Sequence, residues 1–341
     1  MNPLNKEKDK MTIAVIGAGA IGSIIAAYLS KAGHDVTLIG RADQVRAIKD
    51  RGLSIAGIRK ENVKLKTDER LEKEHDLTIF AVKTQDLEKA YRDNNEYCDH
   101  TICLTTQNGV QADNILGMHF EKEKMISSIV MFGATYIEPG RITYNFDGKW
   151  IMGRPFTVND SILEEVAKVL GQAFDVVISD DIMGMKWLKL FVNFNNCLPA
   201  LTGLSMQETF SDLDLCRLSI MLLKEGYAIT QRAGIQLVSL PDFPRERIEG
   251  LVSMPMDQAA GIIHKTLTGL SQEPLYGSIL QSIKRKKTSE VDYINGEIDL
   301  LSKHVSSQAP LNRRIVDLVH QVENTGRFID KEEIKKEFNL V

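Results

Sequence analysis

The chain has 341 residues, of which 43% are hydrophobic and 26% are charged, and its formal net charge is −4. This length can bury a sizeable core and suggests two domains, while the slightly acidic balance argues against a general affinity for nucleic acid. The cysteines form no CxxC pair, no apolar run is long enough to span a membrane, and residues 1–10 lack a signal-peptide core. We therefore expect a reduced cytoplasmic protein, with residues 1–11 as a disordered leader and Met11 as a candidate start.

A dinucleotide-binding motif lies near the N-terminus. Residues 12–16 predict a short buried strand, the segment Gly-Ala-Gly-Ala-Ile-Gly follows at once, and a helical pattern then runs to Gly33. In G-x-G-x-x-G the glycines allow a tight turn and close approach of the backbone to a pyrophosphate at a helix N-terminus. A merely structural turn is the alternative. The predicted cofactor contacts are Gly17, Gly19, Ala20, Ile21 and Gly22.

The second predicted strand, residues 36–39, ends in Gly40-Arg41. Proteins that bind NAD usually place an acidic residue near this position, on the ribose 2′-hydroxyl, whereas a guanidinium suits a 2′-phosphate. Arg41 therefore favours NADPH over NADH. The alternative is that Arg41 is a solvated loop residue and Asp43 contacts the ribose.

Further buried strands are predicted at residues 77–82, 101–104 and 125–130, between helical patterns. This alternation is typical of a Rossmann-type, doubly wound parallel sheet, in which ligands bind beyond the carboxyl ends of the strands. Lys83 and Asn108 directly follow two of these ends, so we expect both to face the nicotinamide, although either could be an ordinary loop residue. Gly109 would give the backbone freedom for a close approach.

The second half of the chain is predicted to be helical. Residues 141–154 predict a hairpin around Asp147-Gly148, and residues 160–173 an amphipathic helix. Beyond about residue 182 the patterns are almost wholly helical. We therefore predict an α/β fold, with a Rossmann-type domain over residues 12–180 and an all-helical C-terminal domain over residues 183–330.

Residues 189–203 form an apolar helical pattern with one polar stripe. Lys189, Asn193 and Asn196 are spaced i, i+4 and i+7, which puts them on one face of a helix buried nearly all round. Unpaired buried polar groups cost several kcal/mol by order of magnitude, so either the stripe lines a ligand site, or the two amides bond a neighbouring helix and the lysine snorkels outward. Lys186, one turn earlier, is expected to reach solvent at the helix start.

Ser278 and Glu290 are twelve residues apart, or about 18 Å on one uninterrupted helix. They can serve one site only if the chain turns between them, and the polar residues 284–288 would permit a turn. On the residues alone we favour the alternative in which Glu290 interacts with a helix dipole and Ser278 packs against backbone.

Taken together, these motifs resemble the ketopantoate reductase family, 2-dehydropantoate 2-reductases, over about residues 12–325. The matching segments are the glycine loop of residues 17–22, Arg41, Ala81-Val-Lys83, Gln107-Asn108-Gly109, Lys189-Leu-x-x-Asn193, and Ser278 with Glu290. The resemblance implies a Rossmann domain that binds NADPH and a helical domain that takes 2-dehydropantoate. It also implies that Lys189 is the general acid assisted by Glu290, that Lys83 and Asn108 contact the cofactor, and that substrate is bound by Asn108, Asn193, Asn196 and Ser278.

Two positions depart from the family pattern. Many members carry the second asparagine eight residues after the lysine, where this chain has Cys197. Because the following Cys-Leu-Pro-Ala-Leu resembles the usual Pro-Leu-Thr-Ala-Leu, we assign the role to Asn196. Ser282 stands where an aspartate is common. These departures put the identity of the substrate in doubt.

The implied function is NADPH-dependent reduction of 2-dehydropantoate to pantoate, in pantothenate and coenzyme A biosynthesis. One alternative is a related reductase of another 2-keto or 3-hydroxy acid; a second is a non-catalytic NADPH sensor, which would leave the polar stripe, Ser278 and Glu290 without a task. No cluster of histidine, cysteine and carboxylate has the spacing of a metal site, and neither membrane nor nucleic acid is an expected partner. A homodimer remains open.

Overall fold

The computed structural model describes residues 10–340, so most of the predicted leader, residues 1–11, lies outside the described residues. Met11 already belongs to the fold, because it is buried and its carbonyl accepts a hydrogen bond from the Asp35 amide. Backbone contacts divide the chain into two compact units. The N-terminal unit runs up to Gln107 and continues over Gln111–Met183, and the C-terminal unit comprises Asn108–Val110 and the chain from Gly184 onward.

The N-terminal unit alternates strands and helices. Its strands are β1 (Thr12–Ile16), β2 (Asp35–Ile39), β3 (Leu53–Gly57), β4 (Glu61–Val63), β5 (Lys66–Asp68), β6 (Leu77–Phe80), β7 (Ile102–Thr105), β8 (Met125–Val130), β9 (Gly133–Glu138), β10 (Arg141–Phe146), β11 (Trp150–Gly153) and β12 (Val176–Ile178). Its helices are α1 (Ala20–Lys31), α2 (Ala42–Arg51), α3 (Leu87–Arg92), α4 (Gln111–Leu116) and α5 (Ser161–Leu170).

The main sheet has eight strands in the order β12-β11-β8-β7-β6-β1-β2-β5. Neighbouring strands are parallel except for β11 and β8, which pair in antiparallel register. In the central strand β1 the residues from Ile13 to Ile16 are all buried, as a parallel sheet covered on both faces requires. This confirms the predicted α/β fold with a parallel-dominated sheet.

A second sheet of four strands, in the order β4-β3-β10-β9, corrects one prediction. The hairpin predicted over residues 141–154 is wrong, because β10 pairs with β9, and β11 pairs with β8 of the main sheet. The hairpin turn instead lies at Pro139-Gly140, where Gly140 has a φ of +76°. The predicted Asp147-Gly148 turn carries the chain from one sheet to the other. Strand alternation locates strands and turns, but it does not show which strands pair.

The C-terminal unit is helical, as predicted. Its helices are α6 (Ile182–Asn193), α7 (Cys197–Thr202), α8 (Met206–Phe210), α9 (Leu213–Arg232), α10 (Glu246–Ser253), α11 (Met256–Thr268), α12 (Ser278–Lys284), α13 (Asn295–His304), α14 (Pro310–Thr325) and α15 (Lys331–Glu337). The long helix α9 is central, and α8, α10, α11, α13, α14 and α15 pack against it. In the described part of the chain, no helix is both long and apolar enough to cross a membrane.

The helical pattern over residues 189–203 does not form one helix. Helix α6 ends at Asn193, the segment Phe194–Asn196 forms a 3-10 turn, and α7 follows. Pro199 explains the interruption, because proline lacks the amide that would bond back to the carbonyl of Asn195 and is tolerated in a first helical turn. The polar stripe therefore bends at its third residue.

Four cysteines are free and buried, with Cys98 and Cys103 in the N-terminal unit and Cys197 and Cys216 in the C-terminal unit. Burial raises the pKa of the Cys98, Cys197 and Cys216 thiols to about 12, and it also raises the pKa of the Cys103 thiol well above its ordinary value of 9.0. A buried thiol with a raised pKa is a poor nucleophile, so these side chains serve packing rather than chemistry.

Candidate active site

Three glycines build the loop between β1 and α1, each for a different reason. Gly17 has a φ of +123°, and a Cβ there would lie 2.6 Å from the Ala81 carbonyl carbon. A Cβ on Gly22 would lie 2.0 Å from the Gly17 carbonyl oxygen, so this glycine lets the helix pack against the turn. Gly19 is exposed and has no neighbouring atom within 4 Å of a built Cβ. The loop therefore leaves open space at Gly19 while the other two glycines close the turn.

Helix α1 begins directly after Gly19, which has no side chain to cap the first amides. Ala20 and Ile21, the first two helical residues, are partly exposed. The amides of a helix N-terminus bind phosphate groups through hydrogen bonds and the helix dipole. Space at Gly19 and free approach to these amides fit the pyrophosphate of a dinucleotide.

Arg41 directly precedes α2, and Gly40 separates it from the carboxyl end of β2. The adjacent Gly40 lies along the glycine loop, because a Cβ there would be 2.5 Å from the Ala18 Cβ. Asp43, in the first turn of α2, is exposed like Arg41. Burial and the Asp43 carboxylate raise the pKa of the Tyr136 phenol while Arg41 lowers it, so both charges act on one ring. The structure thus brings both candidate ribose ligands to the same place.

Gln107 ties together the carboxyl ends of two neighbouring strands. Its buried side-chain amide donates hydrogen bonds to the Phe80 and Val82 carbonyls, each at 2.8 Å. Lys83 directly follows Val82, precedes the 3-10 turn Thr84–Asp86, and is partly buried. Sequence reasoning treated Gln107 only as part of the Gln-Asn-Gly motif and missed this role. The motif itself was the signal that could have pointed to it.

Asn108 and Gly109 pack within the C-terminal unit. Gly109 has a φ of +80°, and a Cβ there would lie 2.4 Å from the Tyr293 carbonyl oxygen. The predicted close approach of the backbone therefore occurs, but its partner is the segment just after Glu290. As a result, Asn108 and Glu290 lie on neighbouring segments of one unit.

Lys189 is flanked on α6 by buried apolar residues. Its neighbours Leu188, Leu190 and Phe191 are at most 1% exposed, whereas Lys189 and Asn193 are partly exposed. Burial lowers the pKa of Lys189 from its ordinary value of 10.5 to about 8. A lysine with such a pKa is largely protonated at neutral pH and is a stronger acid than a solvated lysine. This is the property that a proton donor needs.

The prediction that Lys186 reaches solvent is wrong, because only 2% of its surface is exposed. The helix begins at Ile182 rather than near residue 186, so Lys186 lies inside α6, one turn before Lys189. The sequence pattern had placed the helix start too late.

Asn196 and the start of α12 lie side by side. A Cβ on Gly277 would lie 2.4 Å from the Asn196 Oδ1 atom, and Gly277 directly precedes Ser278, the first residue of α12. Ser278 is exposed and Asn196 is partly exposed, whereas Cys197 is fully buried. The structure thus brings Asn196 next to Ser278, whereas the Cys197 side chain is buried.

The chain turns between Ser278 and Glu290, as a shared site requires. Helix α12 ends at Lys284, Lys286 adopts a left-handed φ of +54°, and the Lys287 amide bonds back to the Ser282 carbonyl at 3.0 Å. Glu290 then precedes the 3-10 turn Val291–Tyr293. Among the described residues, no group of three or more histidine, cysteine or carboxylate side chains could hold a metal ion.

Comparison with known proteins identifies the family to which the chain is similar. The models for ketopantoate reductase PanE/ApbA and for its C-terminal part match residues 13–155 and 181–323. The 2-dehydropantoate 2-reductase of Pyrococcus abyssi is 32% identical, over 91% of this chain and 97% of the relative. That of Pyrococcus horikoshii is 29% identical, over 93% and 99%.

Solved structures agree with the family match. The PanE/ApbA family ketopantoate reductase from Ralstonia eutropha JMP134 superimposes with a TM-score of 0.77 at 25% identity, over 92% of this chain and 98% of that chain. A D-mandelate dehydrogenase in complex with NADH gives a TM-score of 0.79 at 24% identity, over 92% of this chain and 99% of that chain. At this identity the similarity shows a shared fold only. With matches to both family models and a close relative over nearly the whole length, this chain belongs to the ketopantoate reductase family.

Proposed function

We propose that this protein is an NADPH-dependent oxidoreductase that reduces 2-dehydropantoate to pantoate, in pantothenate and coenzyme A biosynthesis. The observation that carries the proposal concerns Lys189 on α6: burial lowers its pKa to about 8, and Asn193 follows at the end of the same helix and Asn196 in the next 3-10 turn. The relatives named 2-dehydropantoate 2-reductase support this choice of substrate.

Lys189 is the general acid in this proposal. NADPH, when bound, supplies a hydride to the C2 carbon of the 2-keto acid, which converts the carbonyl oxygen to an alkoxide. The Lys189 ammonium stabilises the developing charge and donates its proton to that oxygen, giving the 2-hydroxy acid. Glu290 assists by favouring the protonated lysine, and solvent restores the proton.

Four polar side chains are proposed to bind the substrate. Asn193 ends α6, the helix of Lys189, and Asn196 ends the 3-10 turn that follows it. Ser278 starts α12 beside Asn196, and Asn108 lies beside the segment of Glu290. Amides and hydroxyls can donate to the carboxylate and hydroxyls of a small keto acid. Ser282, where an aspartate is common, instead donates to the Ser278 carbonyl at 3.0 Å, so it supports the helix.

We propose that residues 12–180 bind NADPH and that residues 183–330 supply the catalytic groups. The glycine loop with Ala20 and Ile21 would hold the pyrophosphate, Arg41 the 2′-phosphate, and Lys83 and Asn108 the nicotinamide end. Since Asp43 lies close to Arg41, the choice between NADPH and NADH depends on which side chain meets the ribose.

The experiment is oxidation of NADPH by the purified protein with 2-dehydropantoate, compared with pyruvate, 2-ketoisovalerate and benzoylformate. We expect the highest kcat/KM with 2-dehydropantoate. A higher value with another 2-keto acid would contradict the assigned substrate and support a related reductase. Tight binding of NADPH without turnover of any of them would support a sensor. A cytoplasmic location and a homodimer are expected, and gel filtration tests the latter.

A further inference from the structure

Glu290 lies in a short segment that a histidine and two carboxylates hold from both sides. The Ser289 amide donates a hydrogen bond to Glu323 Oε1 at 2.8 Å. On α14, His320 Nδ1 lies 3.1 Å from Glu323 Oε2, and His320 Nε2 lies 2.9 Å from Asp292 Oδ1. The contacts therefore run from the residue before Glu290, through Glu323 and His320, to Asp292 in the 3-10 turn after it.

These contacts need a particular protonation state. A neutral imidazole carries one N–H, so one of its two carboxylate partners would face a lone pair, whereas the imidazolium donates to both. The charged groups that act on His320 are Asp292, from the 3-10 turn, and Glu323, from its own helix. Burial opposes the charge, but the hydrogen bonds to these two carboxylates prevail and raise the pKa of His320 above its ordinary value of 6.5.

Accessibility allows this group to titrate in the folded protein. The His320 side chain is 36% exposed and that of Asp292 is 47% exposed, whereas Glu323 is 11% exposed. Ser289, whose amide donates to Glu323, is only 1% exposed. A protonation event near the surface is thus linked to a buried backbone position next to Glu290.

We propose that His320, acting through Glu323 and Asp292, is a positioning residue for Glu290. When protonated it fixes the backbone on both sides of Glu290, and when neutral it releases one carboxylate and loosens the segment. The contacts of His320, Glu323 and Asp292 are given by the hydrogen-bond distances. Their effect on catalysis rests on the proposed function, in which Glu290 assists the proton donor. Because the pKa is raised by folding, the stabilisation is present at low pH and is lost as the pH rises through that pKa.

The contacts of His320 with Glu323 and Asp292, together with that of Glu323 with Ser289, are called the clamp below. Hydrogen exchange of the Ser289 amide tests this clamp without any substrate. We compare the wild type with His320→Gln, His320→Arg and His304→Gln across a pH series, after correction for intrinsic exchange. His304 is a matched control, because it is an exposed histidine at the end of α13. Wild-type protection should fall about threefold to tenfold with rising pH, the range of two partly exposed charge pairs.

The variants should show whether protection of the Ser289 amide depends on the positive charge at position 320 or only on the size of the side chain there. His320→Gln should show the low protection at every pH, while His320→Arg, permanently charged, should keep the high protection. His304→Gln should follow the wild type. Equal protection of the Ser289 amide in the wild type and His320→Gln at low pH, or an unchanged pH dependence in His320→Gln, would overturn the proposal.

Kinetics with NADPH and 2-dehydropantoate test the consequence for Glu290. We expect His320→Gln to lower kcat about threefold to tenfold and to leave the KM for NADPH unchanged, with His320→Arg restoring kcat. An unaltered kcat in His320→Gln, with the exchange result as expected, would refute the positioning of Glu290. If the wild type does not turn over, the proposed function fails, and hydrogen exchange alone still decides the clamp.

Discussion

Replacing Lys189 by methionine should make the protein more stable and nearly inactive. Burial lowers the pKa of this lysine from 10.5 to about 8. At 1.36 kcal/mol per pKa unit, this difference corresponds to a cost of about 3 kcal/mol for keeping the ammonium in the folded protein at neutral pH. Because Lys189 is partly accessible to water, we expect a gain of about 1–3 kcal/mol in the free energy of unfolding for Lys189→Met.

The sign of the effect sets its pH dependence. Below about pH 8 the lysine is protonated in both the folded and the unfolded chain, so the full cost is present. Between pH 8 and 10.5 the folded protein loses the proton first, and the cost declines. The stability advantage of Lys189→Met should therefore be largest at pH 7 and disappear towards pH 10.5. Urea unfolding at several pH values measures it.

Activity provides the second readout. With 2-dehydropantoate and saturating NADPH, Lys189→Met should lower kcat by about a hundredfold to ten-thousandfold, while wild-type kcat should fall above about pH 8. Lys186→Met is the control, since Lys186 is a buried lysine on the same helix, and it should retain most activity. A Lys189→Met protein that is less stable at pH 7, or a reversed order of activities, would refute the reasoning.

Other substitutions test the cofactor site and the core. Arg41→Ala should weaken NADPH binding by about tenfold to a hundredfold and spare NADH; equal losses in titrations of the two would refute the assignment. Gly19→Ala should leave the Tm unchanged but weaken NADPH at least about tenfold, whereas Gly22→Ala should lower the Tm, because its Cβ would meet the Gly17 carbonyl at 2.0 Å. Asp113→Ala should cost about 2–4 kcal/mol in urea unfolding, since this buried carboxylate accepts hydrogen bonds from two hydroxyls, at 2.6 and 2.9 Å; a loss below about 1 kcal/mol would contradict this.

The sequence predicted those features that depend on neighbouring residues. The buried strands, the glycine loop and the helical second half follow from apolar runs and from positions where a side chain would clash. Strand pairing is different, because β10 is flanked in the chain by β9 and β11, and the residues around Asp147 do not show that it pairs with β9 while β11 pairs with β8. The hairpin prediction failed for this reason.

Parts of the candidate site could not be predicted for a related reason. The burial of Lys186 depends on what covers α6, and a helix pattern gives only the face on which a residue lies. Likewise His320 and Asp292 are 28 positions apart, and nothing around either residue indicates that they meet. Spacing predicted the stripe of Lys189 and Asn193, since both lie on one helix.

The distribution of the cysteines makes unfolding of each half separately observable. Each unit holds two buried thiols whose raised pKa keeps them unreactive while that unit is folded. An alkylating reagent added during denaturation would modify a thiol only after its own surroundings open. Mass spectrometry of alkylated peptides carrying Cys98 and Cys103, compared with those carrying Cys197 and Cys216, would then show whether the two units unfold in one transition or in succession.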